Sequence, residues 1–308
     1  MNRRTFAQTI AAAALAGAAP STPAASGPSA AESPVAESPA ASGPFGISIM
    51  LWTVFNRLPF EQRLEKVAEA GYTNVELVGE YHGWTDAQFA NANAARKRLG
   101  IHFDATAGMK HGVADPAGVD AFVAELGESM KPMETLGCTA MIVLSGNVIP
   151  GQSRQAQHDA CIETLKRCAG SIEGKQIEGQ TVKLLLECID PEENPKYYLT
   201  SAEEGMEVVH KVNHPQVRFL YDMYHEQIGH GNLIEKLEKN IDTVDLIHIA
   251  DVPGRHEPGT GEINYGSVYR KLGQLKYKGM VAMEFYPTGD PVAMLREAKK
   301  FAWAQAKA

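Results

Sequence analysis

Four hydrophobic runs in the C-terminal half of the chain each finish on a side chain that can bind a metal ion. They are Leu184-Leu185-Leu186-Glu187, Phe219-Leu220-Tyr221-Asp222, Leu246-Ile247-His248 and Val281-Ala282-Met283-Glu284. Alone, each reads as a solvated or salt-bridged strand end; four successive runs ending this way point to one shared site. Three carboxylates and an imidazole, with no thiolate, suit one divalent cation, Mg2+, Mn2+ or Co2+, better than a structural zinc. Glu187 and Glu284 on either side of such a cation would have a further use. The ion would hold the two oxygens of a hydroxycarbonyl compound and stabilise the charge that develops as a carbon-bound proton leaves. One carboxylate takes that proton and the other returns it to the adjacent carbon, which gives isomerisation or epimerisation through an enediolate.

The elements that must position these residues can be counted along the chain. Strands are predicted at 46–51, 74–78, 102–106, 140–145, 183–187, 217–222, 244–249 and 279–285. Amphipathic helices are predicted between and after them, at 60–70, 86–99, 118–136, 153–172, 201–212, 232–241, 265–274 and 291–304. Gly71, Gly100 and Gly137 follow three of these helices, where a left-handed cap costs glycine little. Strict alternation predicts an α/β fold, a single-domain (β/α)8 TIM barrel over 45–308, in which every strand ends at the same face. A doubly wound sheet is the alternative, but Leu51-Trp52-Thr53-Val54 stands where it would carry a glycine-rich phosphate turn. Trp52, Phe55, Glu76, Glu80, His82, Asp104, Lys110 and His111, near the first three strand ends, are expected to wall the site. Trp52, Phe55 and Trp84 are candidates to stack on a sugar face.

A length of 308 residues and a hydrophobic content of 44% suit one catalytic barrel, which typically needs roughly 250 residues. The net charge of -8 and the absence of a Lys/Arg cluster argue against a nucleic-acid partner and leave a small-molecule hydroxycarbonyl or sugar substrate. A homo-oligomer is left open. Cys138, Cys161, Cys168 and Cys188 lack CxxC spacing and are read as free and mostly buried. Arg3-Arg4 before an alanine-rich run resembles a twin-arginine signal over 1–25, followed by an Ala/Ser/Pro-rich linker over 26–44. This predicts export, to the periplasm, with no permanent membrane span, since the run is too short and too weakly apolar.

Three stretches carry a family resemblance: Phe219-Leu220-Tyr221-Asp222-Met223-Tyr224-His225-Glu226-Gln227, Ile247-His248-Ile249-Ala250-Asp251, and Glu257-Pro258-Gly259-Thr260-Gly261-Glu262-Ile263-Asn264-Tyr265. Over roughly Phe45 to Ala302 the chain resembles hydroxypyruvate isomerases of the xylose-isomerase-like TIM-barrel superfamily. The resemblance implies that Glu187 and Glu284 are both metal ligands and the proton-transfer pair, that Asp222 is a ligand, and that His248 fills a ligand position. His225 resembles a substrate-oxygen contact of related ketose 3-epimerases, and Arg255 stands near their substrate-binding arginine. The named reaction implied is hydroxypyruvate to tartronate semialdehyde, with Arg255 or Lys110 holding the carboxylate. The chain departs from the pattern at Cys188-Ile189-Asp190, where Pro-Ile-Asn is usual, and at His248, which is the epimerase-like choice. An exported sugar isomerase or ketose 3-epimerase is therefore the alternative, and a non-catalytic sugar-binding barrel is an alternative of another class.

Overall fold

The computed structural model describes residues 43–308. The expected signal segment and nearly all of the expected linker lie outside the described residues. Eight parallel strands close into a barrel in the order β1-β10-β9-β8-β7-β4-β3-β2. They are β1 (Gly46–Met50), β2 (Asn74–Leu77), β3 (His102–Thr106), β4 (Ala140–Leu144), β7 (Lys183–Glu187), β8 (Val217–Asp222), β9 (Val244–Ile249) and β10 (Met280–Met283). The two remaining strands, β5 (Gln176–Ile177) and β6 (Gln180–Thr181), form a small antiparallel hairpin before β7 that periodicity did not reveal. Two-residue strands are too short to carry a pattern.

Helices α1 (Phe60–Glu69), α2 (Asp86–Leu99), α3 (Val119–Leu136), α4 (Arg154–Ile172), α5 (Ala202–Val212), α7 (Leu233–Asn240), α8 (Tyr265–Gln274) and α9 (Pro291–Ala306) match the expected ones to within two residues at each end. A further short helix, α6 (Met223–Gly229), starts directly after β8 and was not foreseen. Local chemistry sets the ends. Thr85 and Gln88 form a reciprocal cap on α2, Gly100 and Gly137 close α2 and α3 at φ 65 and 68, and Asp290 caps α9 ahead of Pro291. Among the described residues no helix is long and apolar enough to cross a membrane.

The larger apolar core lies between strands and helices, while a smaller one fills the barrel with Met50, Ala105, Ile142, Leu185, Leu220, Leu246 and Ala282. Side chains two apart on a strand share a face. Leu185, Leu220, Leu246 and Ala282 point inward, so Glu187, Asp222, His248 and Glu284 point inward one layer nearer the strand ends. Parallel register brings them together with a stagger around the barrel: Asp222 pairs with His248, while Glu187 pairs with Leu220 and His248 with Ala282.

Candidate metal centre

One ligand atom from each of Glu187, Asp222, His248 and Glu284 lies within 4.8 Å of the others, and all four residues are buried. The expected convergence is therefore a feature of the structure. His248 turns Nδ1 toward the carboxylates, 2.6 Å from Glu284 Oε2, 3.8 Å from Glu187 Oε1 and 4.0 Å from Asp222 Oδ2. Its other nitrogen, Nε2, lies 2.8 Å from Glu76 Oε2. A carboxylate behind a ligand imidazole fixes which nitrogen faces the ion and raises its basicity.

The electrostatics fit a cation. Burial pushes the Glu76 carboxyl up, and the facing imidazole only partly pulls it back. Burial alone would push the His248 imidazole down, but pairing with Glu284 and Glu76 outweighs it and raises it well above its ordinary value. Gathering three carboxylates at this depth is costly unless positive charge is gathered with them. Oxygen donors plus one imidazole are what a hard or borderline divalent ion takes. Glu187, Asp222, His248 Nδ1 and Glu284 would hold it.

Arg255 supplies positive charge beside this set. Its Nη2 is 2.7 Å from Glu284 Oε2 and 3.2 Å from Asp222 Oδ2, and Nε donates to the Glu284 carbonyl at 3.2 Å. The guanidinium carbon lies 4.6 Å from the Tyr224 ring centroid and 5.7 Å from that of Trp52. Trp52 Nε1 donates to Glu284 Oε1 at 2.8 Å, so Glu284 is oriented through both oxygens. Arg255 takes a left-handed backbone conformation, φ 57, which a side-chain-bearing residue adopts only when its surroundings hold it there. They do so here: the Arg255 carbonyl accepts from the Tyr286 N–H at 2.7 Å.

His225, in the first turn of α6, joins the same group. Asp222 Oδ1 accepts the N–H groups of Tyr224 and His225, capping the helix with a residue whose other oxygen faces the centre. His225 Nε2 lies 3.3 Å from Arg255 Nη1, and Nδ1 lies 2.5 Å from Asp190 Oδ2. Burial pushes the Asp190 carboxyl up, yet the hydrogen bond from His225 and those from the Glu193 and Glu192 N–H groups prevail and leave it below the usual aspartate range.

Several expected wall residues are elsewhere. Glu76 is not a wall but the partner beneath His248. Asp104 is turned away: β2 and β3 lose register so that Val75 pairs with Phe103 and Glu76 with Ala105, leaving Asp104 as the extra residue of a bulge. It borders a cavity of about 300 Å3 at the opposite end of the barrel, near Ala140, Lys183 and Met280. Lys110 is exposed and not brought into the cluster; its N–H donates to Glu125, as does that of His111. Glu80 pairs with Arg63 at 3.7 Å, and His82 packs edge-on against Tyr81. Trp84 packs against Phe60 and Phe89, and Phe55 against the outer core, so of the three aromatics only Trp52 reaches the centre. All four cysteines are free and buried, as their spacing suggested.

The chain is similar to known proteins along nearly its whole described length. The family model described as the xylose isomerase-like TIM barrel matches residues 64–304. A 2-oxo-tetronate isomerase from Haemophilus influenzae is 30% identical over 257 residues, covering 82% of this chain and 97% of that protein. A hydroxypyruvate isomerase from Escherichia coli is 27% identical over 254 residues, covering 81% and 96%. Among solved structures, a protein from Brucella melitensis titled AP endonuclease, family 2, superposes with a TM-score of 0.71 at 27% identity, covering 82% of this chain and 97% of that one. With the barrel, the strand-end cluster and a family match spanning more than half of its residues, this chain belongs to the xylose isomerase-like TIM barrel family.

Proposed function

We propose that the protein is an isomerase of small hydroxycarbonyl compounds, dependent on a divalent cation, with hydroxypyruvate to 2-hydroxy-3-oxopropanoate (tartronate semialdehyde) as its reaction. The observation that carries this reading is the pair Glu187 and Glu284 within one buried donor cluster whose ligand atoms lie within 4.8 Å of one another. The names of the relatives, hydroxypyruvate isomerase and 2-oxo-tetronate isomerase, support the same class. When bound, the cation supplies Lewis-acid stabilisation to the oxygens of the substrate as charge develops on them.

The side chains account for the proton movements. One glutamate takes a proton from C3 of hydroxypyruvate, leaving an enediolate, the other delivers a solvent-derived proton to C2, and the first then releases its proton to solvent. The hydroxyl proton passes from the C3 oxygen to the C2 oxygen, so that C3 becomes an aldehyde and no atom is gained or lost. Trp52 and Arg255 hold the Glu284 carboxylate in one orientation, which keeps it aligned for in-line transfer. Arg255 and His225 stand together beside Asp222, at the edge of the donor cluster, in position to meet substrate oxygens. Exclusion of water by this buried layer strengthens every charge interaction within it.

A ketose isomerase or 3-epimerase, exported from the cytoplasm, is the second reading, and the imidazole at His248 favours it. A nuclease reading suggested by the name of the Brucella protein has little support from a chain of net charge -8. Incubating the Mn2+-loaded protein in deuterated water with hydroxypyruvate and a panel of ketoses should place deuterium on carbon. A binding protein would give none. Glu284→Gln should abolish exchange while circular dichroism stays unchanged, and exchange at the wild-type rate would remove the two-carboxylate mechanism. We also propose export by the twin-arginine route; a reporter fused to residues 1–43 should lose export on changing Arg3 and Arg4 to Lys, and continued export would refute it.

A further inference from the structure

We infer that Asp190 is a positioning residue: it locks His225 in the tautomer that carries its proton on Nδ1, so that Nε2 offers a lone pair to a hydroxyl group of the substrate. Donor and acceptor chemistry on the two sides of one buried ring carries this assignment. Asp190 is fully buried. Its Oδ1 accepts the backbone N–H groups of Glu192 and Glu193 at 2.9 and 2.8 Å, which fixes the carboxylate plane in the loop after β7. Its Oδ2 lies 2.5 Å from His225 Nδ1. A carboxylate only accepts, so Nδ1 is the donor.

On the far side of the ring, Arg255 Nη1 lies 3.3 Å from Nε2. A guanidinium only donates, so Nε2 holds the lone pair. Asp222 Oδ2 lies 3.4 Å from Nε2 without forming a hydrogen bond to it, so the contact places Nε2 at the edge of the candidate metal centre and calls for no proton there. The ring has little freedom to turn, being 4% exposed and packed at 72° against Tyr224.

The consequence is a choice between substrate oxygens. The Nε2 lone pair, met here only by the long 3.3 Å contact from Arg255 Nη1, can accept from a hydroxyl that displaces that contact, but it has nothing to donate to a carbonyl or carboxylate oxygen. His225 therefore selects the hydroxyl end of a hydroxycarbonyl compound and orients it relative to Glu187 and Glu284. This consequence rests on the isomerase reading above; the tautomer itself does not.

Asp190→Asn separates the two. The amide oxygen would retain the two backbone hydrogen bonds, leaving the NH2 group to face Nδ1 and force the proton onto Nε2. Nitrogen NMR of the full chain, Mg2+-loaded and labelled at its histidines, reads this directly, with the His225 signal assigned by its loss in His225→Gln. The wild type should show a protonated Nδ1 and a bare Nε2, and Asp190→Asn the reverse. Deuterium exchange into hydroxypyruvate or the accepted ketose should fall about 10- to 100-fold in kcat in Asp190→Asn, with KM nearly unchanged, as when an orienting carboxylate becomes an amide. A wild-type His225 bearing a proton on Nε2, alone or as imidazolium, would overturn the proposal without any variant, even if Asp190→Asn fails to fold. A wild-type kcat in a folded Asp190→Asn would overturn it as well. A correct tautomer in a protein that exchanges no hydroxycarbonyl would remove the hydroxyl contact and the isomerase reading together while leaving the lock in place.

Discussion

Glu76 shows how a residue of unremarkable sequence context becomes part of the candidate metal centre. It comes from β2, across the barrel from β9, yet its Oε2 lies 2.8 Å from His248 Nε2. With Nε2 engaged, Nδ1 is left to face Glu187, Asp222 and Glu284. Replacing Glu76 with Gln keeps an acceptor but removes the charge that makes the imidazole a strong ligand. Mn2+ affinity measured by calorimetry should then fall about tenfold, the low end for a partner behind a ligand. An unchanged affinity would mean that the His248 orientation has another cause. Trp52 and Arg255 do for Glu284 what Glu76 does for His248, each holding one carboxylate oxygen.

The rim loop after β9 is organised by a single side chain. Asp251 Oδ1 accepts the N–H groups of Val252 and Ile263, and Oδ2 those of Gly259 and Gly261, at 2.9–3.0 Å. This explains the Glu257-Pro258-Gly259-Thr260-Gly261 stretch: Gly259 sits at φ 96, and a Cβ on Gly261 would come within 2.0 Å of the Val252 carbonyl oxygen. The loop carries Arg255 to the centre, and Glu257 ties it to Thr288 beyond β10. Asp251→Ala leaves four buried or partly buried N–H groups without their acceptor. Proteolysis within 252–264 should accelerate, and isomerase turnover should drop at least about tenfold, while the circular dichroism of the barrel is retained. A loop as resistant as wild type would show that the anchors at Thr288 and Tyr286 suffice.

The closed barrel has two polar ends with different tasks. Glu187, Asp222, His248 and Glu284 occupy the strand ends, while Asp104 faces the cavity at the strand starts, where its Oδ1 accepts from Ser48 Oγ at 2.8 Å. Burial pushes the Asp104 carboxyl well above the ordinary aspartate range, and the charge of Glu76 adds to the shift. The folded state therefore binds this proton more tightly than the unfolded state does. Stability from this group is full below the unfolded value of about 4 and is lost as pH rises through the folded one. Asp104→Asn keeps the acceptor for Ser48 and removes the penalty. Its Tm should exceed that of wild type by about 2–4 °C per kcal/mol relieved at neutral pH, with the gain shrinking toward zero in acid. A gain that is the same at pH 3 and pH 7 would assign the effect to packing.

The strand and helix succession, the closed parallel barrel and the four strand-end side chains of the candidate metal centre were legible along the chain, because each rests on local periodicity: two residues per repeat in a strand puts Leu185 and Glu187, or Leu246 and His248, on one inward face. Across the barrel that logic runs out. Nothing in the spacing told Glu76 from Asp104, both near strand ends and both expected as walls. Register around a closed sheet set the first beneath His248, and a bulge turned the second to the far end. The contacts of Trp52 with Glu284, of Asp190 with His225 and of Arg255 with two carboxylates join residues 232, 35 and about 30 positions apart. Such partners are matched by strand stagger and loop path, which are properties of the folded surface that no single segment carries.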